Sequence, residues 1–286
     1  MFLARVAYEV LGDRALAVIA DSPSLPRREL AEALELAQQF HFPVEVVRTA
    51  EFDNPNYTSN PANRCYFCKH ELFTELEPIA RSRKFAVIAY GENASDVGDF
   101  RPGAQAAREF QVRAPLKEAG LTKADIRELS GMLGLPTADK PQMACLSSRI
   151  PYGETVTPEK LRMIEAAENV LRDMGFRDVR VRHHEMVSGP KFPAFSEATA
   201  SRQVPGSAPG SGNPSAMQHL ARIEVGPSEL PRLLENGKSV KIAEALKQIG
   251  YAHVTVDLQG YRRGSLNEAL PAASAVRVEA GGSEGK

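Results

Sequence analysis

Three cysteines, the only ones in the 286-residue chain, are spaced so that they could form a metal or iron–sulfur site. Cys65 and Cys68 form a Cys-x-x-Cys pair, and Cys145 lies within Ala-Cys-Leu-Ser-Ser-Arg. Two thiolates at this spacing can ligate one metal or cluster. A third thiolate brought near by the fold leaves a coordination position open for chemistry. A redox pair, or two small buried side chains, are alternatives that the spacing alone leaves open.

A second group of polar residues directly follows a predicted strand at residues 85–90. Loops at the carboxyl ends of parallel strands are the usual ligand-binding positions of α/β sheets. This loop could bind a nucleotide or Mg²⁺. Its candidate residues are Gly91, Glu92, Asn93, Asp96 and Asp99. The alternative is a solvated turn, which the same composition also favours.

A third group combines one carboxylate with two guanidinium groups. Glu168 falls on the apolar stripe of a predicted helix at residues 158–174, where a carboxylate needs a partner. Arg180 and Arg182 are two residues apart in a predicted strand, so they share one face. Two guanidinium groups on one face could bind a phosphate in bidentate fashion, or could belong to a solvated surface with a salt bridge.

The elements that would position these residues alternate between strands and helices in the first half of the chain. Apolar runs predict strands at residues 15–20, 44–47 and 85–90, and helical periodicity predicts helices at Phe2–Leu11, around residues 30–37 and at 69–83. This order predicts an α/β fold with a parallel sheet. The chain begins inside a helix, with no strand before it.

The second half follows a different pattern. Helices are predicted at residues 122–133, 158–174 and 239–249, and strands at 179–184, 220–225 and 251–258. We therefore predict a first domain at residues 1–150 and a smaller α+β C-terminal domain at 151–271. Residues 186–218, rich in Pro, Ser, Gly and Ala, predict a flexible insertion in the second domain, and residues 272–286 a disordered tail.

Composition narrows the class of protein. The formal net charge is −1, so no global basic field favours nucleic-acid binding. Three cysteines in 286 residues do not form a disulfide framework, which indicates a reducing compartment. The N-terminus lacks the features of a signal peptide or a membrane span. We expect a cytoplasmic protein with no membrane partner.

Several motifs together resemble the LarE-type sulfur transferases of the PP-loop ATP pyrophosphatase superfamily. They are Gly-Glu-Asn-Ala-Ser-Asp at 91–96, Ala-Pro-Leu-Lys-Glu-Ala-Gly-Leu-Thr at 114–122, Met-Ala-Cys-Leu-Ser-Ser-Arg-Ile-Pro-Tyr-Gly at 143–153, Val-Arg-Val-Arg-His at 179–183 and Gly-Tyr-Arg-Arg-Gly at 260–264. The resemblance covers most of the chain except residues 186–218 and the tail. It implies a PP-loop, adenine nucleotide alpha hydrolase-like first domain.

The resemblance also implies a reaction and a set of site residues. ATP, with Mg²⁺, would adenylate a carboxylate of a pyridinium biscarboxylate mononucleotide, and sulfur would then be inserted on the way to a nickel-pincer cofactor. Cys65, Cys68 and Cys145 would ligate a 4Fe-4S cluster, whereas in relatives with a single cysteine the residue matching Cys145 gives up its own sulfur. By the same resemblance, Glu168, Arg180 and Arg182 would bind the substrate phosphate, with Arg262 nearby. Ala20 and Ser22 would face the adenine.

One feature of the family is not found in this sequence. The Ser-Gly-Gly-x-Asp-Ser loop that holds the ATP pyrophosphate would precede the helix that begins at Phe2, so we expect it to be encoded upstream, or else the chain to be a truncated remnant that binds a nucleotide without reacting. A PP-loop enzyme that thiolates tRNA is another alternative, but such enzymes add cysteines and basic surface. We also expect a homo-oligomer.

Overall fold

The structure is a computed structural model that describes residues 1–98, 101–186 and 217–262. The chain forms two compact units, Met1–Arg162, with which Arg262 is grouped, and Met163–Tyr261. The division lies within a helix and not at the predicted boundary after residue 150. The insertion predicted at 186–218 and the predicted tail fall almost entirely outside the described residues. None of the helices in the described ranges is long and apolar enough to cross a membrane.

The first unit contains two parallel strands and most of the helices. Strands β1 (Ala17–Asp21) and β2 (Val44–Arg48) pair in register from Ala17 opposite Val44 to Asp21 opposite Arg48. The helices are α1 (Phe2–Leu11), α2 (Arg27–Gln39), α3 (Pro55–Thr58), α4 (Arg64–Ser82), α5 (Gly103–Glu109), α6 (Pro115–Glu118), α7 (Lys123–Met132) and the first turn of α8 (Pro158–Asp173). The prediction of mixed helix and sheet with parallel strands is confirmed.

Local signals explain where the predicted helices begin and end. Helix α1 stops at Gly12, whose φ of 57° is open to glycine without strain. Helix α7 begins after Thr122, which forms a capping box with Asp125. Helix α4 was predicted to start at residue 69 and instead starts at Arg64. The Cys-x-x-Cys pair therefore lies in its first turn.

The third strand predicted in the first unit, at residues 85–90, is wrong as a full strand. Only a single parallel bridge joins Ala89 to Arg113, with Tyr90 N–H donating to the Arg113 carbonyl at 3.0 Å. The partner segment is short because Gln111 adopts a positive φ of 53° and helix α6 begins at Pro115. Proline cannot donate to a ladder, so pairing ends there.

The second unit is a three-stranded sheet covered by helices. The strands β3 (Val179–Met186), β4 (Gln218–Val225) and β5 (His253–Val256) lie in the order β3–β4–β5, with β3 antiparallel and β5 parallel to β4. Helix α9 (Lys238–Ile249) ends at Gly250, as predicted. The core contains side chains from α8, α9 and the strands, among them Ala167, Leu171, Val179, Val181, Ile223, Ile242 and Leu246.

Candidate functional site

The three cysteines converge within the first unit. Cys65 and Cys68 are three residues apart in the first turn of α4, a spacing that puts both side chains on one face of the helix. Cys145 directly precedes a short 3-10 turn, Leu146–Arg149. Cys65 and Cys145 are exposed, and the charge of Cys145 acts on both other thiols. Residues 80 positions apart in sequence thus form one thiol cluster, which we call the three-cysteine site.

The electrostatic environment of this site opposes ionisation of two thiols. Burial, and then the charge of Cys145, raises the pKa of Cys65, although Arg64 and Lys69 oppose that rise. Burial, Cys145 and Glu51 raise the pKa of Cys68 to about 12. A metal or cluster binding here would have to displace these thiol protons.

The three thiols are donors of a type that suits a metal centre, but their atoms are not placed as a ready set of ligands. Within the described ranges, no three His, Cys, Asp or Glu side chains are arranged as a ready metal-binding group. Three convergent thiols are nevertheless the donors that iron–sulfur clusters use. Ligation by Cys65, Cys68 and Cys145 therefore stays a prediction, whereas their proximity is a property of the fold.

The backbone that carries Cys145 is fixed by a buried arginine. Arg149 is fully buried, and its Nη1 donates to the Ala144 carbonyl at 2.8 Å and to the Cys145 carbonyl at 3.1 Å. Ser148 Oγ donates to the same Cys145 carbonyl at 2.7 Å. The carbonyl is thus held by charge-assisted bonds while the thiol remains exposed, an arrangement that suits a reactive or ligating residue on a rigid loop.

A triangle of three buried hydroxyls ties the same loop to the end of β1. Ser24, Tyr57 and Ser147 are bonded to one another, at 2.6 Å (Ser24–Tyr57), 2.9 Å (Ser24–Ser147) and 2.8 Å (Tyr57–Ser147). The Leu146 N–H also donates to the Ser24 carbonyl at 2.9 Å. Burial, followed by the charge of Cys145, raises the pKa of Tyr57, so its hydroxyl stays a hydrogen-bond donor. Sequence reasoning missed Ser24, Tyr57 and Ser147.

The candidate adenine-side residues lie where the sequence placed them, next to β1. Ala20 is within the strand, and Ser22 follows it. The Ser22 carbonyl accepts a bond from Arg27 Nη2 at 2.8 Å, and Ser22 Oγ accepts the Ser24 N–H at 3.2 Å. The turn after β1 is therefore ordered and leads directly into the hydroxyl triangle. An adenine contact at Ala20 and Ser22 stays a prediction.

In the loop at residues 91–96, the polar side chains of Glu92, Asn93 and Asp96 are buried, so they do not form the solvated turn of the alternative prediction. Asn93 and Asp96 form a capping box, in which Asp96 Oδ2 accepts the Asn93 N–H at 3.2 Å. Asp96 also pairs with Arg101, and Glu92 pairs with Lys117 at 3.0 Å. A groove of about 440 Å³, lined in part by Glu92 and Lys117, adjoins the loop. Gly91, Asn93 and Asp96 thus hold a defined loop. Asp99 lies outside the described residues.

In the second unit, Glu168 is fully buried on the inward stripe of α8, as predicted. Its Oε1 accepts the Val181 N–H at 3.1 Å and its Oε2 accepts a bond from Arg172 at 2.9 Å. The carboxylate therefore joins α8 to the backbone of β3 and to an arginine that the sequence did not single out.

Arg180 and Arg182 do not form a solvated face. They are 2% and 5% exposed, and all residues from 179 to 183 are buried. Arg182 pairs with Glu224 at 2.8 Å, and the guanidinium of Arg180 lies 4.6 Å from the ring centroid of Tyr261. Because both charges are buried with partners, we expect their removal to destabilise the fold. A phosphate contact, and the proximity of Arg262, stay predictions.

Comparisons with known proteins bear on this arrangement. No protein-family model matches the chain. An uncharacterised Synechocystis protein, slr1717, is 40% identical over 94% of this chain and 88% of its own length. The pyridinium-3,5-bisthiocarboxylic acid mononucleotide synthase of Lactiplantibacillus plantarum, a LarE protein, is 29% identical over 94% of this chain and 85% of its own. The chain belongs to one family with slr1717, and its similarity to the Lactiplantibacillus synthase supports a relation to the LarE proteins. An uncharacterised Methanocaldococcus jannaschii protein, MJ0830, is 26% identical over 59% of this chain.

The similarity to the Lactiplantibacillus synthase accords with the resemblance drawn from the motifs. It extends over nearly the whole chain, so it includes both units and not the cysteine segments alone. The tRNA-thiolation and remnant alternatives are not favoured by these relatives.

Proposed function

We propose that this protein is a sulfur transferase that inserts sulfur into a carboxylate of a pyridinium biscarboxylate mononucleotide, in the biosynthesis of a nickel-pincer cofactor. The observation that carries the proposal is the convergence of Cys65 and Cys68 on α4 with Cys145 on a rigidly held loop, in a chain similar over 94% of its length to a LarE synthase. The Lactiplantibacillus relative is named for the bisthiocarboxylic acid product of such a reaction.

The proposed reaction has two balanced steps. A substrate carboxylate oxygen attacks the α-phosphorus of ATP, and pyrophosphate leaves. A sulfur nucleophile then attacks the activated carbonyl carbon, and AMP leaves with the carboxylate oxygen that it received. The loop that contains Gly91, Asn93 and Asp96 would orient the nucleotide and Mg²⁺, and the turn at Ala20 and Ser22 would face the adenine.

The three-cysteine site would supply the sulfur. Cys65, Cys68 and Cys145 would hold a 4Fe-4S cluster, which when bound presents an iron with an open position for an additional sulfide. Cys145 is exposed to solvent and its backbone carbonyl is held by Arg149, so a substrate could reach this residue. The competing donor is Cys145 itself, which would lose its own sulfur in one turnover.

Glu168, Arg180 and Arg182 would contribute a phosphate-binding face, with Arg262 nearby. Their burial and existing partners mean that a substrate phosphate would have to compete with Glu224 for Arg182. The benefit of that arrangement is preorganisation, because guanidinium groups already held by carboxylates lose little conformational entropy on binding.

The test is an anaerobic assay with ATP, sulfide and the pyridinium biscarboxylate mononucleotide, followed by mass spectrometry of the nucleotide. We expect exchange of one carboxylate oxygen for sulfur, with stoichiometric pyrophosphate. In Cys145→Ser the exchange should be lost, whereas a single turnover of pyrophosphate release should persist, because adenylation precedes the step that needs the thiol. Iron and acid-labile sulfide that disappear in Cys145→Ser would support the cluster, whereas a Cys145 peptide lacking one sulfur after turnover would support the sacrificial route. Sulfur appearing in tRNA but not in the mononucleotide would refute the proposal.

Light scattering of the purified protein tests the expected homo-oligomer. A monomer at the concentrations used for the assay would contradict that part of the proposal without affecting the chemistry.

A further inference from the structure

Arg64 is a buried charge at the first position of α4, directly before Cys65. It is 4% exposed. A buried guanidinium is costly unless it is hydrogen-bonded or paired, so its partners indicate what it is for. Its Nη1 donates to the side-chain oxygen of Asn60 and, at 3.0 Å, to the backbone carbonyl of Ser147.

These two bonds connect the segments that carry the cysteines. Ser147 lies two residues after Cys145, and Asn60 lies before the Cys-x-x-Cys pair. Asn60 Nδ2 in turn donates to the Pro151 carbonyl at 2.6 Å. Arg64 and Asn60, which we call the Arg64–Asn60 brace, therefore hold the chain that follows Cys145 against the start of α4.

The same guanidinium lies in the field of two thiols. Cys145 and Cys65 are the charged neighbours that act most strongly on Arg64, after its own burial. Thiolates gathered at one place repel one another, and arginine is the cation that keeps its charge when buried. The positive charge of Arg64 thus lies beside the thiols whose segments its hydrogen bonds hold in place.

We propose that Arg64 is the positioning residue of the three-cysteine site, because its hydrogen bonds hold the segment that follows Cys145 against the start of α4, where Cys65 lies. This role rests on the proposed sulfur-transfer function for its purpose, but its physical content is independent of any nucleotide. Glu51, Lys69 and Tyr57 also face the thiols, so a variant of Arg64 changes one charge among several and its effect must be read on a specific pair of cysteines.

The test measures which cysteines pair on oxidation of the apo protein. Diamide takes two electrons from two thiols, forming a disulfide and the reduced hydrazine, and peptide mapping identifies the partners. In the wild type we expect disulfides that include Cys145 to compete with the Cys65–Cys68 disulfide. In Arg64→Met we expect the ratio to fall by about tenfold or more, the change expected from losing a hydrogen bond that involves a charged group.

Two further variants separate positioning from general stability. Arg81→Met removes an exposed arginine from the last turn of the same helix and should leave the ratio unchanged. Arg64→Lys keeps a charge and a donor and should recover most of the ratio, a rescue that damage to folding alone would not produce. An unchanged ratio in a folded Arg64→Met protein would overturn the proposal.

If Arg64→Met does not fold, the comparison of Arg64→Lys with Arg64→Gln decides the matter. If Arg64→Lys retains the disulfides of Cys145 and Arg64→Gln loses them, the result supports the need for a charged hydrogen-bond donor at this position. Equal ratios in the two variants would overturn the proposal. Because no substrate is present, a protein that shows this dependence but transfers no sulfur would refute the proposed function alone.

Discussion

Replacing Glu168 by Gln should destabilise the second unit far more than the same change elsewhere on α8. The carboxylate is fully buried and accepts two bonds, from the Val181 N–H at 3.1 Å and from Arg172 at 2.9 Å. Gln retains a carbonyl acceptor for the Val181 N–H, so that bond survives. Its amide NH₂ would face the Arg172 guanidinium, donor against donor, and the ion pair would be lost.

The magnitude follows from which group is left unpaired. Removing one partner of a buried ion pair costs about 3–5 kcal/mol. Arg172 keeps 16% of its side chain exposed and can recover some hydration, so we expect about 2–3 kcal/mol for Glu168→Gln. Glu168→Ala also loses the bond from Val181 and should cost about 1 kcal/mol more.

The measurement is urea unfolding at 25 °C by far-UV circular dichroism, with hydrogen exchange of peptides from β3 as a local readout. The local readout is needed because two compact units need not unfold together. Glu159→Gln is the matched control, because its pair with Arg162 lies on the same helix with both side chains largely exposed. It should leave the midpoint unchanged within error. A Glu168→Gln midpoint equal to that of the control would refute the reasoning.

Four other predictions concern different parts of the chain. Because the pKa of Cys68 is about 12, its rate of alkylation by iodoacetamide at pH 8.5 should be roughly a thousandfold lower than that of a free thiol. The rate should rise about tenfold per pH unit up to pH 11. A plateau of the rate below pH 9 would contradict this prediction. Gly103→Ala should lower the free energy of unfolding by about 1–3 kcal/mol, because its Cβ would meet a backbone carbonyl oxygen of α4 at 3.2 Å. Gly131→Ala, in open space within α7, should raise it by about 0.5–1 kcal/mol in the same urea titration. Arg182→Met should lower the free energy of unfolding by about 2–4 kcal/mol, because the buried carboxylate of Glu224 loses an ion-pair partner. The measurement is the melting temperature, which should fall; an unchanged value would contradict the prediction.

The sequence predicted elements best where a local signal was strong. The capping box at Thr122, the stop at Gly250 and the inward position of Glu168 were all readable from periodicity and capping rules, and all are present. The strand at residues 85–90 was wrong because its existence depends on a partner, and the partner around Arg113 is too short. Pairing is a tertiary property that an apolar run does not reveal.

The candidate site divides in the same way. Cysteine spacing indicated a thiol cluster, and the fold brings Cys145 to the other two. The arginines of β3 were weighed as a surface because alternation suggests one solvated face, yet every residue from 179 to 183 is buried. Nothing in the sequence around Ser24 or Tyr57 indicates a link to Cys145, since hydrogen bonds between distant segments leave no local pattern.

The hydroxyl triangle has a consequence for how the protein is made. Ser24 and Ser147 are 123 residues apart, so the bond between them closes a very long loop of chain. Contacts of such high sequence separation form late, after the entropy of closing the loop has been overcome. During synthesis at about 5–20 residues per second, the ribosome needs roughly 6–25 s to pass from one serine to the other. Cys65 and Cys68 are therefore synthesised before Cys145. The three-cysteine site can assemble only after the chain has been made past residue 147.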